Sequence, residues 1–255
     1  MTLLEVKNLK KVYATRFAGN TVQALENVSF SVENGEYVAI MGESGSGKTT
    51  LLNLLASLDK PTSGEIYLEG KAFSTIKPKA LCAFRRDNLG FVFQDFNLLD
   101  SFSLQDNIVL PLVLQGAHYN EMLQRLSGLA EQLGIAEILQ KYPYEVSGGQ
   151  KQRAAAARAL ITSPKLVLAD EPTGALDSKA ASQLLNLFSD INRQGQTIVM
   201  VTHSVQAASH AKRVLFIKDG SLFNQIYRGE KSYDAMFRMI SDTLSILQAG
   251  GGSHA

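Results

Sequence analysis

The sequence contains little cysteine and almost no excess of charge, and each shortage excludes a class of protein. Its single cysteine, Cys82, excludes a disulfide framework within the chain and a zinc site built from paired cysteines. One cysteine also fits a reducing cytoplasm. The 25 Lys and Arg residues nearly balance the 24 Asp and Glu residues, so no basic excess indicates nucleic acid as a partner.

Long apolar runs are also missing. The first residues, MTLLEVKNLKKVYATR, lack the apolar stretch of a secretory signal. No run in the sequence approaches the roughly 18 consecutive apolar residues of a membrane-spanning helix. If the protein works at a membrane, we therefore expect another chain to supply the membrane segments. The 255 residues, 45% of them hydrophobic, are enough to bury a substantial core.

Segments typical of buried strands alternate with helical segments. EYVAIMG, KLVLAD and QTIVMVTH are short, apolar and rich in β-branched residues, as buried strands usually are. KTTLLNLLASL and SKAASQLLNLFSDINRQG have the length and composition of helices. Strands that alternate with helices in this way predict an α/β fold whose core sheet is mixed but mainly parallel.

Other strand-like segments predict antiparallel pairing. LLEVKNL and ENVSFSV alternate apolar and polar residues, so we expect an antiparallel β-subdomain near the N-terminus. RVLFIKDGSLFNQIYRG predicts a hairpin that turns at Asp219 and Gly220, because an Asp-Gly pair between strands favours a tight turn.

The domain organisation follows from these segments. After a further strand at NLGFVFQ, residues from about 95 to 160 are mostly helical and predict an inserted helical subdomain. We expect residues 1–229 to form one domain, and residues 230–255 to form an amphipathic helix with a flexible tail, GGGSHA. That helix would pack on its own domain or contact a partner. Its apolar face consists of Tyr233, Met236, Phe237, Ile240, Leu244 and Leu247.

A glycine-rich segment provides the strongest functional signal. GESGSGKT, residues 42–49, matches the pattern GxxxxGK[ST] and lies between a predicted strand and a predicted helix. Its glycines allow successive backbone N–H groups to surround phosphate oxygens. Lys48 would reach the β- and γ-phosphates, and the Thr49 hydroxyl would ligate Mg²⁺. The predicted nucleotide-binding residues of this segment are Gly42, Ser44, Gly45, Ser46, Gly47, Lys48, Thr49 and Thr50.

Two carboxylates end the buried strand in KLVLADEP. Asp170, at the strand end, is placed to hold Mg²⁺. Glu171 follows directly and points elsewhere, so it is the natural general base for an attacking water. Solvated acids end many strands, but together with a phosphate-binding loop this pair predicts hydrolysis of a nucleotide.

Three further residues have both a functional and a structural interpretation. His203 ends a strand and would reach the γ-phosphate or orient the attacking water, although a histidine at a strand end is more often structural. Gln94 also ends a strand and would add its carbonyl oxygen to the Mg²⁺ ligands. Tyr13 would stack on a base or pack against a neighbouring strand. We interpret the remaining histidines as surface residues: His118, His210 and His254.

A glycine pair precedes four alanines in VSGGQKQRAAAARAL. Glycine marks a turn and alanine favours a helix, so this junction predicts a helix N-terminus with accessible backbone amides. Such a terminus attracts an anion. The segment by itself leaves open which anion it binds.

These motifs, in this order, resemble the ATPase subunits of ATP-binding cassette (ABC) transporters. VSGGQKQR is similar to the signature sequence of that family, and it lies after Gln94 and before LVLADEP, as in the family. An ALD motif at residues 175–177 follows. The resemblance covers Leu3 to Gly229 and implies the fold of the P-loop NTPases and hydrolysis of ATP with Mg²⁺.

The resemblance also implies a role for single residues. Tyr13 would stack on adenine, and Gln94 would sense both Mg²⁺ and the membrane partner. Asp170 would be the Walker B aspartate and Glu171 the catalytic glutamate. His203 would be the switch histidine. The residue after it, which is usually acidic in the family, is serine in this sequence, and we expect this difference to tune activity rather than abolish it.

In such ATPases two copies pack head to tail with two ATP molecules between them. The resemblance places Asp177 where the two copies cross. ATP binding would close the dimer, and hydrolysis would open it. Four residues of one copy would contact the ATP held by the other copy: Ser147, Gly148, Gly149 and Gln150.

Longer segments resemble a narrower branch of the family. MGESGSGKTTLLNLLASLDKPTSGEI is similar to the lipoprotein-release, macrolide-export and cell-division ATPases, and YPYEVSGGQKQR to the bacitracin-type peptide-resistance ATPases of Gram-positive bacteria. This resemblance implies a permease of ten helices with a large extracellular domain, often with a sensor histidine kinase. It also implies a position at the cytoplasmic face of the membrane. We expect DFNLLDSF to bind a cytoplasmic helix of the permease.

Two other functions remain as alternatives. A cassette of the lipoprotein-release or cell-division type would transmit mechanical force to a partner across the membrane without exporting a peptide. A soluble ABC ATPase that acts on DNA or ribosomes is less favoured, because the sequence has no coiled-coil insertion, no zinc cysteines and no second cassette. The partner permease would distinguish the first alternative from peptide resistance.

Overall fold

The structure, a computed structural model, describes residues 1–14 and 21–249, without the side chains of residues 248 and 249. The predicted tail GGGSHA, with His254, lies outside the described residues. The chain divides into two compact units. The first consists of Met1–Lys77 and Val199–Ala255, and the second of Pro78–Ile198.

The strands and helices alternate along most of the chain. The strands are β1 (Thr2–Ala14), β2 (Thr21–Glu33), β3 (Tyr37–Met41), β4 (Ser63–Leu68), β5 (Lys71–Ala72), β6 (Leu89–Val92), β7 (Leu166–Asp170), β8 (Thr197–Val201), β9 (Arg213–Lys218) and β10 (Ser221–Tyr227). The α-helices are α1 (Lys48–Leu55), α2 (Leu81–Asn88), α3 (Leu104–Gln115), α4 (Tyr119–Gln132), α5 (Gly148–Leu160), α6 (Ser178–Arg193), α7 (Val205–Ser209) and α8 (Tyr233–Ala249). Short 3-10 helices lie at Phe73–Thr75, Pro78–Ala80, Ala136–Ile138 and Pro143–Glu145.

The strand pairing of the first unit agrees with the sequence patterns. β1 pairs antiparallel with β2 and with β4, which confirms the predicted N-terminal antiparallel pairing. β3 pairs in parallel with β9, and β9 pairs antiparallel with β10. The β9–β10 hairpin turns at Asp219 and Gly220, with φ values of 48° and 75°. A two-residue turn with positive φ at both positions matches the twist of the flanking strands, and the predicted hairpin is confirmed.

The C-terminal helix α8 packs within the first unit, against α7. Met236, Ile240 and Leu247 of its apolar face are buried, and this burial favours packing on its own domain over a contact with a partner. Tyr233 and Phe237 remain 42% and 43% exposed.

In the second unit β6 pairs in parallel with β7, and helix α5 packs against β6, α3 and α6. The four alanines of α5, Ala154 to Ala157, are all buried, because small side chains allow the helix to approach its neighbours closely. The mostly helical stretch predicted from about residue 95 to 160 contains the helices α3, α4 and α5. Gly116 ends α3 in the left-handed conformation, with φ of 75°.

Candidate functional site

The phosphate loop of the first unit connects β3 to α1. A side chain at Gly42 would come within 2.2 Å of the carbonyl oxygen of Ile217, and one at Gly47 within 2.4 Å of that of Ala24. Gly47 also has φ of 101°, which L-residues with a side chain rarely adopt. The backbones of β9 and β2 therefore approach this loop so closely that only glycine fits at these two positions.

The charge of Lys48 lies at the start of α1. Its ammonium group donates hydrogen bonds to the carbonyl oxygens of Gly42 at 2.9 Å and Glu43 at 2.8 Å. The first turn of α1, which exposes Thr49, carries no acidic residue that would offset the positive end of the helix dipole. The Ser46 hydroxyl is buried and has no hydrogen-bond partner among the described residues. These features suit the binding of phosphate oxygens.

Tyr13 is held in place by polar contacts. Its hydroxyl donates to Asp59 at 2.9 Å, and the Lys11 ammonium, which pairs with Asp59 at 2.7 Å, lies 4.7 Å from the centre of the Tyr13 ring. Burial raises the pKa of Asp59, but hydrogen bonds from Lys11, the Lys60 backbone and Tyr13 outweigh it, and the pKa lies below its ordinary value. Tyr13 is 39% exposed and these contacts orient its ring, as a stacking platform requires.

His203, also in the first unit, is exposed and lies after β8. The serine that follows it, Ser204, caps α7. Its hydroxyl accepts from the backbone N–H of Ala207 at 3.2 Å, and its own N–H donates to the Thr202 hydroxyl at 3.0 Å. Ser204 therefore has a structural role here, which an acidic residue could equally fill because aspartate also caps helices.

In the second unit, Gln94 and Asp170 lie at the ends of two paired parallel strands. Val92 of β6 is opposite Ala169 of β7, so both site residues lie at the carboxyl edge of this strand pair. A methyl group on Gly174 would lie 3.0 Å from the Gln94 side chain, so glycine makes room for that amide. Carboxylate and amide oxygens are suitable Mg²⁺ ligands, and this donor set fits the ion that the motifs imply.

The described residues contain no cluster of three or more His, Cys, Asp or Glu side chains that could hold a metal. In nucleotide sites magnesium is commonly held by one or two carboxylates together with waters and phosphate oxygens, rather than by a dedicated cluster of protein ligands.

Glu171 adopts a left-handed backbone conformation, with φ of 43°. For a residue with a side chain this costs about 1–2 kcal/mol. Its carbonyl oxygen accepts from the N–H of Gly174 at 2.9 Å, which closes a turn directly after β7. Side chains along β7 point alternately to the two faces of the sheet. Because Glu171 lies in this turn, its side chain does not continue that alternation.

The helix N-terminus that the glycine pair predicted is confirmed at the start of α5. The Ser147 hydroxyl accepts from the Gln150 N–H at 3.4 Å, and the Gln150 side-chain oxygen accepts from the Ser147 N–H at 2.9 Å. This reciprocal arrangement is a capping box. Because the hydroxyl only accepts in this pair, it retains a hydrogen for an anion.

A recess of about 270 Å³ lies beside this helix start. Asp177 lines it and caps α6, accepting from the Ala180 N–H at 2.8 Å, so the N-termini of α5 and α6 both border the recess. Arg153 and Lys179 add positive charge to it. The charges and the helix dipoles favour an anionic occupant.

His210 differs from its expected position. It is half-buried in the first unit, and its ring stacks on Tyr233 of α8 with the ring centres 4.5 Å apart. The interpretation of His210 as a plain surface residue is therefore wrong. The contact joins the end of α7 to α8, and nothing in the sequence near His210 indicates it.

The phosphate loop, the carboxylates and the α/β architecture together define a P-loop nucleoside triphosphatase. The family model described as an ABC transporter matches residues 25–174, which is more than half of the 255 residues. The chain therefore belongs to the ABC transporter family, as one of its ATPase subunits.

Relatives and a solved structure agree with this assignment. The chain is 51% identical to the uncharacterized ABC transporter ATP-binding protein YvcR of Bacillus subtilis (strain 168), with 100% of this chain and 97% of that protein covered. It is 47% identical to the bacitracin export ATP-binding protein BceA of Halalkalibacterium halodurans, with 100% of both covered. It matches the dimeric ATP-binding cassette MJ0796 with bound ADP and Pi at 36% identity and a TM-score of 0.80, covering 88% of this chain and 98% of that one. The expected α/β P-loop fold is thereby confirmed.

Proposed function

We propose that the protein binds and hydrolyses ATP to power a membrane permease that gives resistance to antimicrobial peptides of the bacitracin or lantibiotic kind. The observation that carries this proposal is the similarity over the whole chain to a bacitracin export ATP-binding protein. The protein acts at the cytoplasmic face of the membrane, where it is bound through a ten-helix permease with a large extracellular domain. A sensor histidine kinase joins this complex through the permease. Within residues 1–14 and 21–249, no helix is long and apolar enough to cross a membrane.

We assign nucleotide binding to the residues of the sequence motifs. Tyr13 stacks on the adenine, and Lys48 and the amides of the phosphate loop bind the phosphates. Thr49, Gln94 and Asp170 hold Mg²⁺, which when bound neutralises phosphate charge. The confined glycines, the buried Ser46 hydroxyl and the oxygen donors at the strand ends support these roles.

Hydrolysis depends on Glu171 and His203 in this proposal. Glu171 accepts a proton from the attacking water, and His203 orients that water against the γ-phosphate. A second copy of the chain completes the site, because Ser147 and Gly148 of that copy bind the same γ-phosphate. The capping box and the positively charged recess beside it support an anion at this position.

The permease binds, in this proposal, to the apolar loop after Gln94. Leu99 and Phe102 are 44% and 38% exposed. The buried Asn107 accepts from the Leu99 N–H at 2.7 Å and donates to the carbonyl oxygens of Leu99 and Phe102 at 3.0 and 3.2 Å, and so anchors the backbone of this loop. An anchored loop with exposed apolar side chains is suited to hold a partner helix.

The test is to purify the protein with the permease encoded beside it and to measure ATPase activity with and without bacitracin-type peptides. We expect the peptides to stimulate hydrolysis, and Leu99→Asp to abolish co-purification. Ile246→Asp is the control, because Ile246 is also an apolar surface residue and, at 66%, is more exposed than Leu99. ATPase activity that no peptide antibiotic stimulates would contradict the role in peptide resistance and leave the ATPase assignment intact.

A further inference from the structure

Gln152 is fully buried within α5 and uses both of its N–H groups. Its amide nitrogen donates to the carbonyl oxygen of Phe93 at 3.0 Å and to that of Pro172 at 2.7 Å. A carboxamide has two N–H hydrogens, so its donors are fully used. The opposite orientation of the amide would place its oxygen against two carbonyl oxygens, so the partners themselves fix the orientation.

The two carbonyl groups belong to residues adjacent to proposed catalytic groups. Phe93 immediately precedes Gln94, and Pro172 immediately follows Glu171. One side chain of the helix that begins after Ser147 therefore joins both segments. The side-chain oxygen of Gln152 has no hydrogen-bond partner among the described residues, so these two donated bonds are its polar contacts.

Glu171 requires such a restraint because of its left-handed backbone conformation. A residue with a side chain keeps φ near 43° only where its surroundings hold it there. Two consecutive carbonyl groups are held in this turn. That of Glu171 accepts from Gly174 at 2.9 Å, and that of Pro172 accepts from Gln152 at 2.7 Å.

Arg158, further along α5, holds the other side of Gln94. Its guanidinium donates to the carbonyl oxygens of Asn97 at 2.6 Å and Phe96 at 3.0 Å, and both residues have positive φ. Burial lowers the pKa of Arg158, but a guanidinium stays protonated in proteins. The loop after Gln94 thus keeps an anchor of its own when Gln152 is changed.

We propose that Gln152 is a positioning residue for ATP hydrolysis, which fixes the segments of Glu171 and Gln94 relative to each other and to α5. The inference rests on the proposed function. The hydrogen bonds of Gln152 go to these two segments and not to the phosphate loop. Loss of the Gln152 amide should therefore slow hydrolysis and leave ATP affinity nearly unchanged.

The test compares Gln152→Met with Asn192→Leu in the purified full chain. Each variant removes a buried carboxamide of the second unit and keeps the size of the side chain; Asn192 donates to the Gln196 carbonyl oxygen at 2.8 Å. We expect Gln152→Met to lower kcat about tenfold or more with KM for ATP within about twofold, and Asn192→Leu to keep the wild-type kcat. Gln152→Asn, which keeps an amide but is too short to reach both carbonyl groups, replaces the Met variant if that variant fails to fold.

A second comparison shows whether Gln152 acts through Glu171. In a Glu171→Gln background, the Gln152→Met substitution should lower the residual single-turnover rate by about threefold at most. The reason is that the carboxylate which Gln152 positions is already absent there. A full tenfold further loss, or an unchanged kcat in Gln152→Met alone, would overturn the inference while the ATPase function stands. A wild-type protein without ATPase activity, in the presence of its permease, would overturn the proposed function and this inference together.

Discussion

A methyl group on Gly149 would lie 2.9 Å from the Cβ of Ala180, so the start of α5 is packed against α6 as closely as glycine allows. Gly148 is different, since the nearest atoms of other described segments would lie 3.7 Å from a methyl group there. Packing within the described chain therefore explains the second glycine of the pair and not the first. The recess beside Gly148 supports the proposal that a ligand approaches it from outside the chain.

Alanine substitutions distinguish packing, the reason for Gly149, from the approach of a ligand, the proposed reason for Gly148. Gly149→Ala should lower the free energy of unfolding by about 1–3 kcal/mol, because the added methyl group overpacks the contact between α5 and α6. Gly148→Ala should leave the unfolding temperature unchanged and lower kcat by about tenfold or more, because its methyl group obstructs the partner's ATP. Thermal unfolding and steady-state ATPase assays check both. A Gly148→Ala protein with wild-type kcat would contradict the role of this residue at the second copy.

Glu171→Gln should separate ATP binding from ATP hydrolysis. The amide cannot accept a proton from the attacking water, so we expect turnover to fall about a hundredfold or more while ATP still binds. With hydrolysis blocked, the protein should accumulate as an ATP-bound dimer, which size-exclusion chromatography with and without ATP detects. Wild-type turnover in this variant would show that Glu171 is not the general base.

Substitutions at Ser147 should abolish hydrolysis without affecting ATP binding by the monomer, because this residue serves the ATP of the other copy. Ser147→Arg removes the cap of α5, whereas Ser147→Asp keeps it and places a negative charge toward the γ-phosphate. We therefore expect both to be inactive, and only the arginine variant to lose about 1 kcal/mol of stability. ATP affinity is measured on the monomer by equilibrium binding. Loss of ATP binding in either monomer would contradict a site shared between two copies.

The stability of the protein should depend on pH through His210. Its burial, and then the nearby charge of Arg228, lower its pKa below the ordinary 6.5. The folded state therefore favours the neutral ring, which stacks on Tyr233. This contribution to stability is complete above pH 6.5 and is lost as the pH falls through that value toward the lower pKa of the folded state.

His210→Phe tests this dependence, because phenylalanine keeps a ring for stacking but cannot be protonated. The unfolding temperature of the wild type relative to the variant should decrease between about pH 8 and about pH 5. His118→Phe, which removes an exposed histidine in the second unit, is the control and should show no such trend. A difference between wild type and His210→Phe that is constant with pH would contradict the prediction.

Several local features of the site could be predicted from neighbouring residues alone. The spacing of serine and glutamine at 147 and 150 predicts a capping box, and Asp219 with Gly220 predicts a tight hairpin turn. Each depends on a few consecutive residues whose backbone preferences and hydrogen bonds are local. The phosphate loop is of the same kind, because its glycines, lysine and threonine are contiguous in the sequence.

Contacts between distant segments could not be predicted in this way. The hydrogen bonds from Gln152 to Phe93 and Pro172 join three separate segments. The Tyr13–Asp59 hydrogen bond spans 46 positions. The residues that make these contacts follow no periodicity or spacing in the sequence. A buried glutamine cannot be distinguished in the sequence from an exposed polar residue of the same helix, because only the folded chain buries it.

The sequence by itself determined the family, the order of the nucleotide-binding motifs and the local conformations that place backbone amides at helix starts. The family is indicated by the resemblance of these motifs, and the local conformations follow from short-range preferences for turns, caps and helices. Only the tertiary structure decided which glycine of the pair is needed for packing, which glutamine of α5 is buried, and that His210 stacks on Tyr233 of α8. Burial and the satisfaction of buried hydrogen bonds depend on segments that meet only after the chain has folded.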